Sequence, residues 1–206
     1  MSAVSSRTGA RGPYRKGIER RREIIAAAAE LFAEDGYKNS SVRELARRLG
    51  LTQAGVLHHF SDKEELLVEV LELRDTSVSE YLAALPDTDL PSRSRAVGRY
   101  SAQHEGLTSL FIMLSAEAID SDHPAHDYFT EHYRATADVA NRLPETDFPD
   151  PHDGVISADL IATLERAVQD GLQLQRRYRE DLDAEAALDA FWHLVAAARH
   201  AWVIQD

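Results

Sequence analysis

The segment that decides the fold is SVRELARRLGLTQAGVLHHFSDKE, residues 41–64. Apolar residues recur in its first half at the i, i+3, i+4 and i+7 spacing of an amphipathic helix, namely Val42, Leu45, Ala46 and Leu49. Ser41 and Glu44 form the S-x-x-E pattern of a capping box at the start of this helix. Gly50 suits its end, because glycine accepts the left-handed backbone conformation that follows many helices. The segment therefore predicts a short helix from Val42 to Leu49.

A third helix is predicted from Thr52 to Phe60, where Thr52 can cap the first turn. Two short helices joined by a tight glycine turn are typical of the helix-turn-helix unit, whose second helix can enter a DNA major groove. Gln53 can hydrogen-bond a base edge, and Gly55 allows the backbone to come close to DNA. The candidate contacts are Thr52, Gln53, Gly55, His58 and His59 on this helix, with Arg43, Arg47, Arg48 and Lys63 placed for the DNA backbone. An ordinary helical hairpin inside an all-α domain is the alternative interpretation.

Helical patterns also flank this segment. A first helix is predicted from about Lys16 to Asp35. A second capping box, Ser61 with Glu64, opens a long fourth helix that ends before Pro86. The predicted domains are a mobile basic arm at residues 1–16, a helix-turn-helix domain at 17–63 and an α-helical body at 64–206.

The charge of the chain is unevenly distributed. Its 206 residues carry 23 Lys and Arg against 35 Asp and Glu, which gives a net charge of −12. Residues 1–63 hold 12 basic and 7 acidic side chains, whereas residues 64–206 hold 11 basic and 28 acidic ones. This asymmetry indicates a polyanion-binding head on a body that polyanions would avoid, and a solvated charged surface is the alternative interpretation.

Several classes of protein are disfavoured by what the sequence lacks. Without cysteine, the chain has no disulfide, thiol nucleophile or cysteine zinc site. No apolar stretch is long enough to span a bilayer and no signal peptide is recognised, so a soluble cytoplasmic protein is expected. The G-x-S-x-G, P-loop and G-x-G-x-x-G motifs are missing, and no two carboxylates are paired as acid and base. We therefore predict no enzymatic activity and no cofactor.

A cluster of histidines invites a metal-site interpretation, which its spacing does not support. The group consists of His123, His126 and His132 with Asp122 and Asp127. Pro124 is expected to open a helix, which would leave His123 outside the first turn, and the spacing matches no zinc motif. His58 and His59 are adjacent and would point in different directions on a helix. No metal site is predicted.

The middle of the chain is predicted to form a small-molecule pocket. Helices are expected near residues 92–103, 107–120 and 124–142, followed by a proline-rich loop at 143–154. These helices carry aromatic side chains with a few polar groups, which is the usual lining of a ligand pocket. The candidate lining residues are Tyr100, His104, Phe111, Met113, Tyr128, Phe129, His132 and Tyr133. The pattern does not identify the effector.

The last two helices are predicted near residues 156–179 and 184–204, and the second is apolar around most of its circumference. A helix that is apolar all round must be covered on both sides, and a second subunit can supply one of them. A twofold four-helix interface is therefore predicted, with a central core helix as the alternative. The candidate interface residues are Leu164, Val168, Leu172, Phe191, Trp192, Val195 and Trp202.

Residues 24–72, IIAAAAELFAEDGYKNSSVRELARRLGLTQAGVLHHFSDKEELLVEVLE, resemble the DNA-binding head of the TetR family of bacterial transcriptional regulators. The likeness covers about Arg20 to Leu73. It is carried by the A-x-x-L-F-x-x-x-G-Y run, the capped second helix, the G-L-T turn, the H-H-F end and the K-E-E-L-L start of the fourth helix. The resemblance implies that Thr52 to His59 form the recognition helix, that Lys63 touches a phosphate and that Tyr37 is a packing aromatic.

The resemblance also implies an architecture and a function. The fold would be all-α, with a three-helix helix-turn-helix head joined by a long helix to a ligand-binding and dimerisation body. The run DGLQLQ at 170–175 is similar to the subgroup with a BetI-type C-terminal domain. The chain would be a repressor that binds a palindromic operator in double-stranded DNA as a homodimer. A small-molecule effector would release it. Because the long fourth helix continues from the head into the body, we expect the helix from Asp62 to Leu85 to be the lever between the pocket and the head.

One residue departs from the family pattern. Many relatives carry tyrosine, often against a phosphate, at the position of Leu57. Leucine cannot make that contact, so His58 or the basic arm would have to supply part of the contacts to the DNA backbone. Leu57 and the negative net charge of the whole chain support a rival interpretation. In it, the chain is a helical small-molecule binding protein whose head no longer binds DNA.

Overall fold

The computed structural model describes residues 12–86, 89–140 and 158–203, with side chains at 15–86, 89–135 and 158–197. Every element in this part of the chain is an α-helix, which confirms the predicted all-α class. The helices are α1 Gly12–Asp35, α2 Val42–Arg48, α3 Gln53–Leu57, α4 Lys63–Ala83, α5 Leu90–Gln103, α6 Glu105–Glu117, α7 His126–Ala140, α8 Ala158–Gln175 and α9 Ala184–Val203. None of these helices is long and apolar enough to cross a membrane.

The chain divides into two compact units, which we call the head (Met1–Leu73) and the body (Arg74–Asp206). Their boundary lies inside α4, whereas the predicted domains meet at residue 63, where α4 begins. The core of the head is apolar, because α1, α2, α3 and the first half of α4 each turn one stripe inward. Its members include Ile24, Leu31, Phe32, Leu45, Val56, Phe60, Leu66 and Leu67, each at most 2% exposed.

Two glycines end helices of the head in the left-handed backbone region. Gly36 has φ 78° after α1, and Gly50 has φ 65° after α2. A side chain is strained in this conformation, so glycine suits both positions. Ser41 caps α2, accepting a hydrogen bond of 3.1 Å from the amide of Glu44. The predicted cap and glycine turn of the second helix are therefore confirmed.

Two predicted helix ends in the head are wrong. The first helix begins at Gly12 instead of Lys16, so the last residues of the predicted mobile arm are helical. Pro13 helps to explain this start, since the fixed φ of proline suits a first helical turn. The third helix ends at Leu57, so His58 and His59 follow it in a turn. Residues 1–11 of the arm lie outside the described residues.

The cap of α4 is displaced by one residue from the predicted capping box. Asp62, rather than Ser61, accepts a hydrogen bond of 2.8 Å from the amide of Glu65. The carboxylate of Glu65, rather than that of Glu64, accepts one of 2.6 Å from the amide of Ser61. Since a carboxylate interacts more strongly than a hydroxyl with the positive end of a helix, Asp62 is the better cap.

The helices of the body lie near the predicted ones, but the start of α7 differs. Pro124 lies in a turn before α7, which begins at His126, so the predicted helix start at Pro124 is wrong. The turn is held locally, because the amide of Ala125 donates to Nδ1 of His123 at 3.1 Å. The predicted loop at 143–154 lies outside the described residues.

Candidate nucleic-acid interface and ligand region

The fold of the head presents one face of α3 to solvent. Thr52 caps the helix by accepting a hydrogen bond of 3.0 Å from the amide of Gly55. Val56 is fully buried and fixes the opposite side of the helix in the core. The side chains of Gln53, Ala54, Leu57 and His58 are exposed. This exposed face consists of one amide, two apolar groups and one imidazole, all of which can contact the floor of a DNA groove.

Gly55 has a role inside the protein as well as a predicted one toward DNA. A Cβ at this position would lie 3.3 Å from the side-chain oxygen of Thr52, which is tighter than ordinary van der Waals contact. That oxygen accepts the capping hydrogen bond of α3. A glycine at residue 55 therefore leaves room for the cap.

The arginines of α2 differ in how strongly they are engaged. Arg43 is exposed and forms no ion pair within the described residues. Arg47 binds Glu44 at 2.6 Å, and Arg48 binds Glu34 at 2.6 Å. The hydrogen bond from Arg47, with further contributions from Arg48, lowers the pKa of Glu44 to about 2. Of the three α2 arginines predicted to contact the DNA backbone, Arg43 can therefore bind a phosphate without first breaking an ion pair.

Lys63 is partly committed to the head itself. Its ammonium donates a hydrogen bond to the carbonyl of Tyr37 and lies 4.1 Å from the centre of the Tyr37 ring. Burial lowers the pKa of Lys63. The Tyr37 ring also packs edge-on against Phe32, with 5.5 Å between ring centres. Because an ammonium has three donors, Lys63 retains hydrogen-bonding capacity for a phosphate.

The histidines singled out as metal candidates are used locally. The rings of His58 and His59 lie edge-to-face, 5.4 Å apart, after the end of α3. His126 bonds the carbonyl of Ala118 at 2.8 Å, and His132 bonds Asp75 at 2.9 Å. Within the described residues, no three His, Asp or Glu side chains come together as a group that could hold a metal ion.

Four of the eight predicted pocket residues come together in the body. Phe111, Tyr128, Phe129 and His132 form an aromatic group whose neighbouring ring centres lie 5.0 to 5.8 Å apart. Two residues of α4 lie among them. Arg74 places its guanidinium 3.8 Å from the centre of the Phe111 ring, and Asp75 accepts a hydrogen bond of 2.6 Å from the Tyr128 hydroxyl. We call these six residues the aromatic–acid cluster.

The cluster holds Asp75 in its ionised form. Burial opposes ionisation, but the hydrogen bond and charge of His132, the hydroxyl of Tyr128 and the charge of Arg74 together lower its pKa below the ordinary 3.8. Arg74 is 6% exposed and bonds the same carboxylate at 3.0 Å. A carboxylate with several donors, surrounded by aromatic rings, can exchange one of them for a donor on a ligand.

Sequence reasoning did not single out Arg74 and Asp75. Arg74 occupies the position that follows Leu67, Val70 and Leu71 on the buried stripe of α4, where a further apolar residue would be expected. A charged residue at a core position of a helix is the signal that could have identified it.

Of the other four predicted pocket residues, Tyr133 packs at the edge of this group, with its ring centre 5.4 Å from that of His132, and the remaining three lie elsewhere. Tyr100 stacks on His104, with 4.0 Å between ring centres, and also contacts Tyr81. Met113 is 52% exposed. Tyr133 is 40% exposed and donates a hydrogen bond of 3.1 Å to Asp170.

A small cavity of about 20 Å³ lies between α5, α6, α8 and α9. Its lining is partly polar and includes Ser101, Thr108, Gln169 and Gln173, but none of the eight predicted pocket residues. Gln169 donates to the carbonyl of Ser94 at 2.7 Å and to Glu165 at 3.0 Å. A space of this size holds about one water molecule.

The candidate dimer residues fall into two groups. Leu164 of α8 is 45% exposed, and Val168, Phe191 and Val195 are half-buried. Leu172 and Trp192 are 9% and 7% exposed, so they belong mainly to the core of the protomer. Leu194 of α9, which the sequence reasoning did not select, is 71% exposed. The side chain of Trp202 lies outside the described residues.

Residues 24–70 match the sequence model of a family described as bacterial regulatory proteins, tetR family. The chain is also similar to two named repressors. The transcriptional repressor KstR2 of Mycolicibacterium smegmatis is 29% identical over 81% of this chain and 71% of its own length. The transcriptional repressor AcnR of Corynebacterium diphtheriae is 27% identical over 74% of this chain and 78% of its own.

Solved structures share the fold. A transcriptional regulator from Rhodococcus aligns with a TM-score of 0.69 at 22% identity, covering 84% of this chain and 94% of that one. A TetR transcriptional regulator from Chloroflexus aurantiacus aligns with a TM-score of 0.69 at 23% identity, covering 88% and 95%. At these identities the likeness is one of fold.

Proposed function

Since the chain belongs to the TetR family of bacterial regulatory proteins, we propose that it represses transcription in the cytoplasm by binding a palindromic operator as a homodimer, and that a small-molecule effector releases it. The observation that carries the proposal is the exposed face of α3, which a buried Val56 and a Thr52 cap hold on the apolar core of the head. The names of the two relatives support repression rather than activation.

The proposed DNA contacts follow from exposure and engagement. Gln53 reads a base edge, because a glutamine amide can bond an adenine with both its donor and its acceptor. Arg43 binds a phosphate directly, while Thr52, Gly55, His58, His59 and Lys63 complete the surface against the DNA backbone. Arg47 and Arg48 contribute less, because phosphate binding must first replace their carboxylate partners.

Selection from random duplex DNA, followed by footprinting, tests operator binding. We expect enrichment of a palindrome whose half-sites are protected about one helical turn or more apart. Arg43→Ala should weaken binding to all duplexes, whereas Arg134→Ala, which removes an exposed arginine of α7, should have no effect. No enriched sequence would support the rival interpretation, a small-molecule binding protein whose head no longer binds DNA.

The proposed homodimer uses the exposed apolar surface of α8 and α9. Leu164 and Leu194 are large, exposed leucines on the two helices that the sequence pattern assigns to an interface. Half-buried Val168, Phe191 and Val195 border them, and burying such a surface against a second copy removes it from water. We propose a smaller contribution to the interface from the remaining candidates, Leu172, Trp192 and Trp202.

Sedimentation analysis of two charge variants tests the dimer. Leu194→Glu should convert the protein to monomers, because it places a charge inside the proposed contact. Ile119→Glu is the matched control, since Ile119 is 79% exposed and lies outside both helices. If the two variants sedimented with the same particle mass, this interface would be contradicted.

The proposed effector site is the aromatic–acid cluster. A ligand that donates a hydrogen bond to Asp75 would replace Tyr128 or His132 and loosen the contact between α7 and α4. The head also contains part of α4, starting at Lys63, so a shift of this helix is the proposed route to release. The remaining predicted pocket residues, Tyr100, His104, Met113 and Tyr133, are proposed as secondary contacts.

A thermal-shift screen on the full chain tests the effector site. Small molecules that raise the melting temperature should also release the selected operator. Their effect should disappear in Asp75→Asn but persist in Asp127→Asn, which alters an exposed carboxylate of α7. A ligand that stabilises both variants equally would place the site elsewhere in the body.

A further inference from the structure

The exposed face of α3 carries an apolar strip beside its polar base-reading residue. Leu57 is 38% exposed, and Ala54 is exposed one turn earlier. Gln53 and Leu57 are four residues apart and Ala54 and Leu57 are three apart, so the three side chains share one face. Val56 and Phe60, at 0% and 2% exposure, fill the core on the other side. The core therefore leaves Leu57 at the surface.

We propose that Leu57, together with Ala54, contacts the C5-methyl groups of thymines next to the base that Gln53 reads. The inference rests on the proposed binding of DNA by α3 and adds a specificity residue to it. The thymine methyl is the one apolar group on the base edges of the major groove, and small apolar side chains are its usual partners. The operator half-site should therefore contain thymine at one or two fixed positions beside the Gln53 contact.

The size and surroundings of the strip favour DNA over a protein partner. A stable protein interface buries about 800 Å² on each side, far more than two small side chains can offer. Polar residues border the strip, with Gln53 before it and the exposed ring of His58 after it. Arg43, exposed and without an ion pair in the described part of the chain, supplies a cation on the preceding helix. An apolar strip bordered by polar side chains and a cation is complementary to a DNA groove, in which base edges lie between phosphates.

Replacing thymine by uracil in the selected operator tests this contact, because the change removes only the methyl group. Each half-site should contain one or two positions where the wild-type protein loses affinity about threefold to tenfold, as expected for one methyl group removed from an apolar contact. Leu57→Ala should bind the thymine operator as weakly as the wild type binds the uracil operator. Leu57→Ala should lose little more affinity when uracil replaces the thymine that Leu57 contacts, because the methyl group of that thymine no longer has a leucine partner. Leu57→Met should restore the sensitivity.

The possible outcomes separate this inference from the function on which it rests. Specific operator binding with the same uracil penalty in the wild type and in Leu57→Ala would overturn the role of Leu57 and leave the proposed function intact. Specific binding with no sensitivity to uracil would do the same. Failure of the wild type to select any sequence would overturn both. Because Leu57 is at the surface, Leu57→Ala should keep the wild-type melting temperature, and Leu57→Met provides a second measurement if it does not.

Discussion

The head and the body of this regulator bury different kinds of side chain. Among the described residues, one polar residue is buried in the head, Ser40, whereas the body buries Arg74, Ser94, Ser101, Thr108, Gln169 and Gln173. An apolar core packs in one arrangement and holds the surface of α3 in place. A polar interior depends on particular hydrogen bonds, which a ligand can exchange. We infer that the head is built to present a fixed surface and the body to respond.

The largest expected effect on stability comes from creating a cavity in the core of the head. Phe32→Ala should lower the free energy of unfolding of the head by about 3–5 kcal/mol, since a buried aromatic ring is replaced by a cavity. Hydrogen exchange should show faster exchange of the amides of Leu45 and Ala46 in α2. Phe129→Ala, a comparable truncation in the body, should affect the amides of α6 and α7 first. If Phe32→Ala left the α2 amides protected, the head would not depend on this core.

The buried polar layer of the body should respond to the loss of a single amide. Gln169→Leu removes the donor to the Ser94 carbonyl and to Glu165, and should lower the free energy of unfolding by about 2–3 kcal/mol. Urea denaturation measures this change. Gln175→Leu is the matched control, because Gln175 is exposed at the end of the same helix. Equal stability of Gln169→Leu and the wild type would remove the proposed contrast with the head.

The aromatic–acid cluster should give the body a pH dependence. Because the pKa of Asp75 is lowered in the folded protein, its ionised form contributes stability above the ordinary value of 3.8, and this contribution is lost as the pH falls through the lowered value. Asp75→Asn should therefore cost about 1–3 kcal/mol at neutral pH and progressively less below pH 4. Chemical denaturation of both proteins across this range measures the difference. A difference that is independent of pH would contradict the role of the Asp75 charge.

Removing a helix cap should have the smallest effect on stability. The loss should be similar in the head and in the body. Ser41→Ala in the head and Asp89→Ala in the body each remove a side-chain acceptor from a helix start. Each should cost about 1 kcal/mol, because capping is a local interaction that does not depend on the core. Thermal denaturation checks both variants. A much larger loss from either one would indicate that its helix end also carries tertiary contacts.

The sequence predicted best what is decided locally. The glycine ends of α1 and α2 and the Ser41 cap follow from a few neighbouring residues, and the structure confirms them. The cap of α4 was displaced by one residue because Ser61 and Asp62 are both good caps, and Glu64 and Glu65 can both complete the pattern. Choosing between them requires the geometry of the turn.

Partners that are distant in the sequence could not be predicted. Asp75 meets His132 across 57 residues, and a helical pattern does not say which faces of α4 and α7 meet. The prediction of the third helix failed at its end for a related reason. The pattern continues to Phe60, but Phe60 reaches the core from beyond a turn that holds His58 and His59.

The most direct test of the account compares binding to the selected operator with binding to a scrambled duplex over a range of salt. For the wild type, we expect at least about a thousandfold preference for the operator and a steep fall in affinity for both duplexes as salt increases. Gln53→Ala should lose most of the preference while keeping its affinity for the scrambled duplex, and Gln103→Ala, an exposed glutamine of the body, should behave as the wild type. Equal affinity of the wild type for the two duplexes, or an unchanged preference in Gln53→Ala, would contradict the claim that the exposed face of α3 reads DNA.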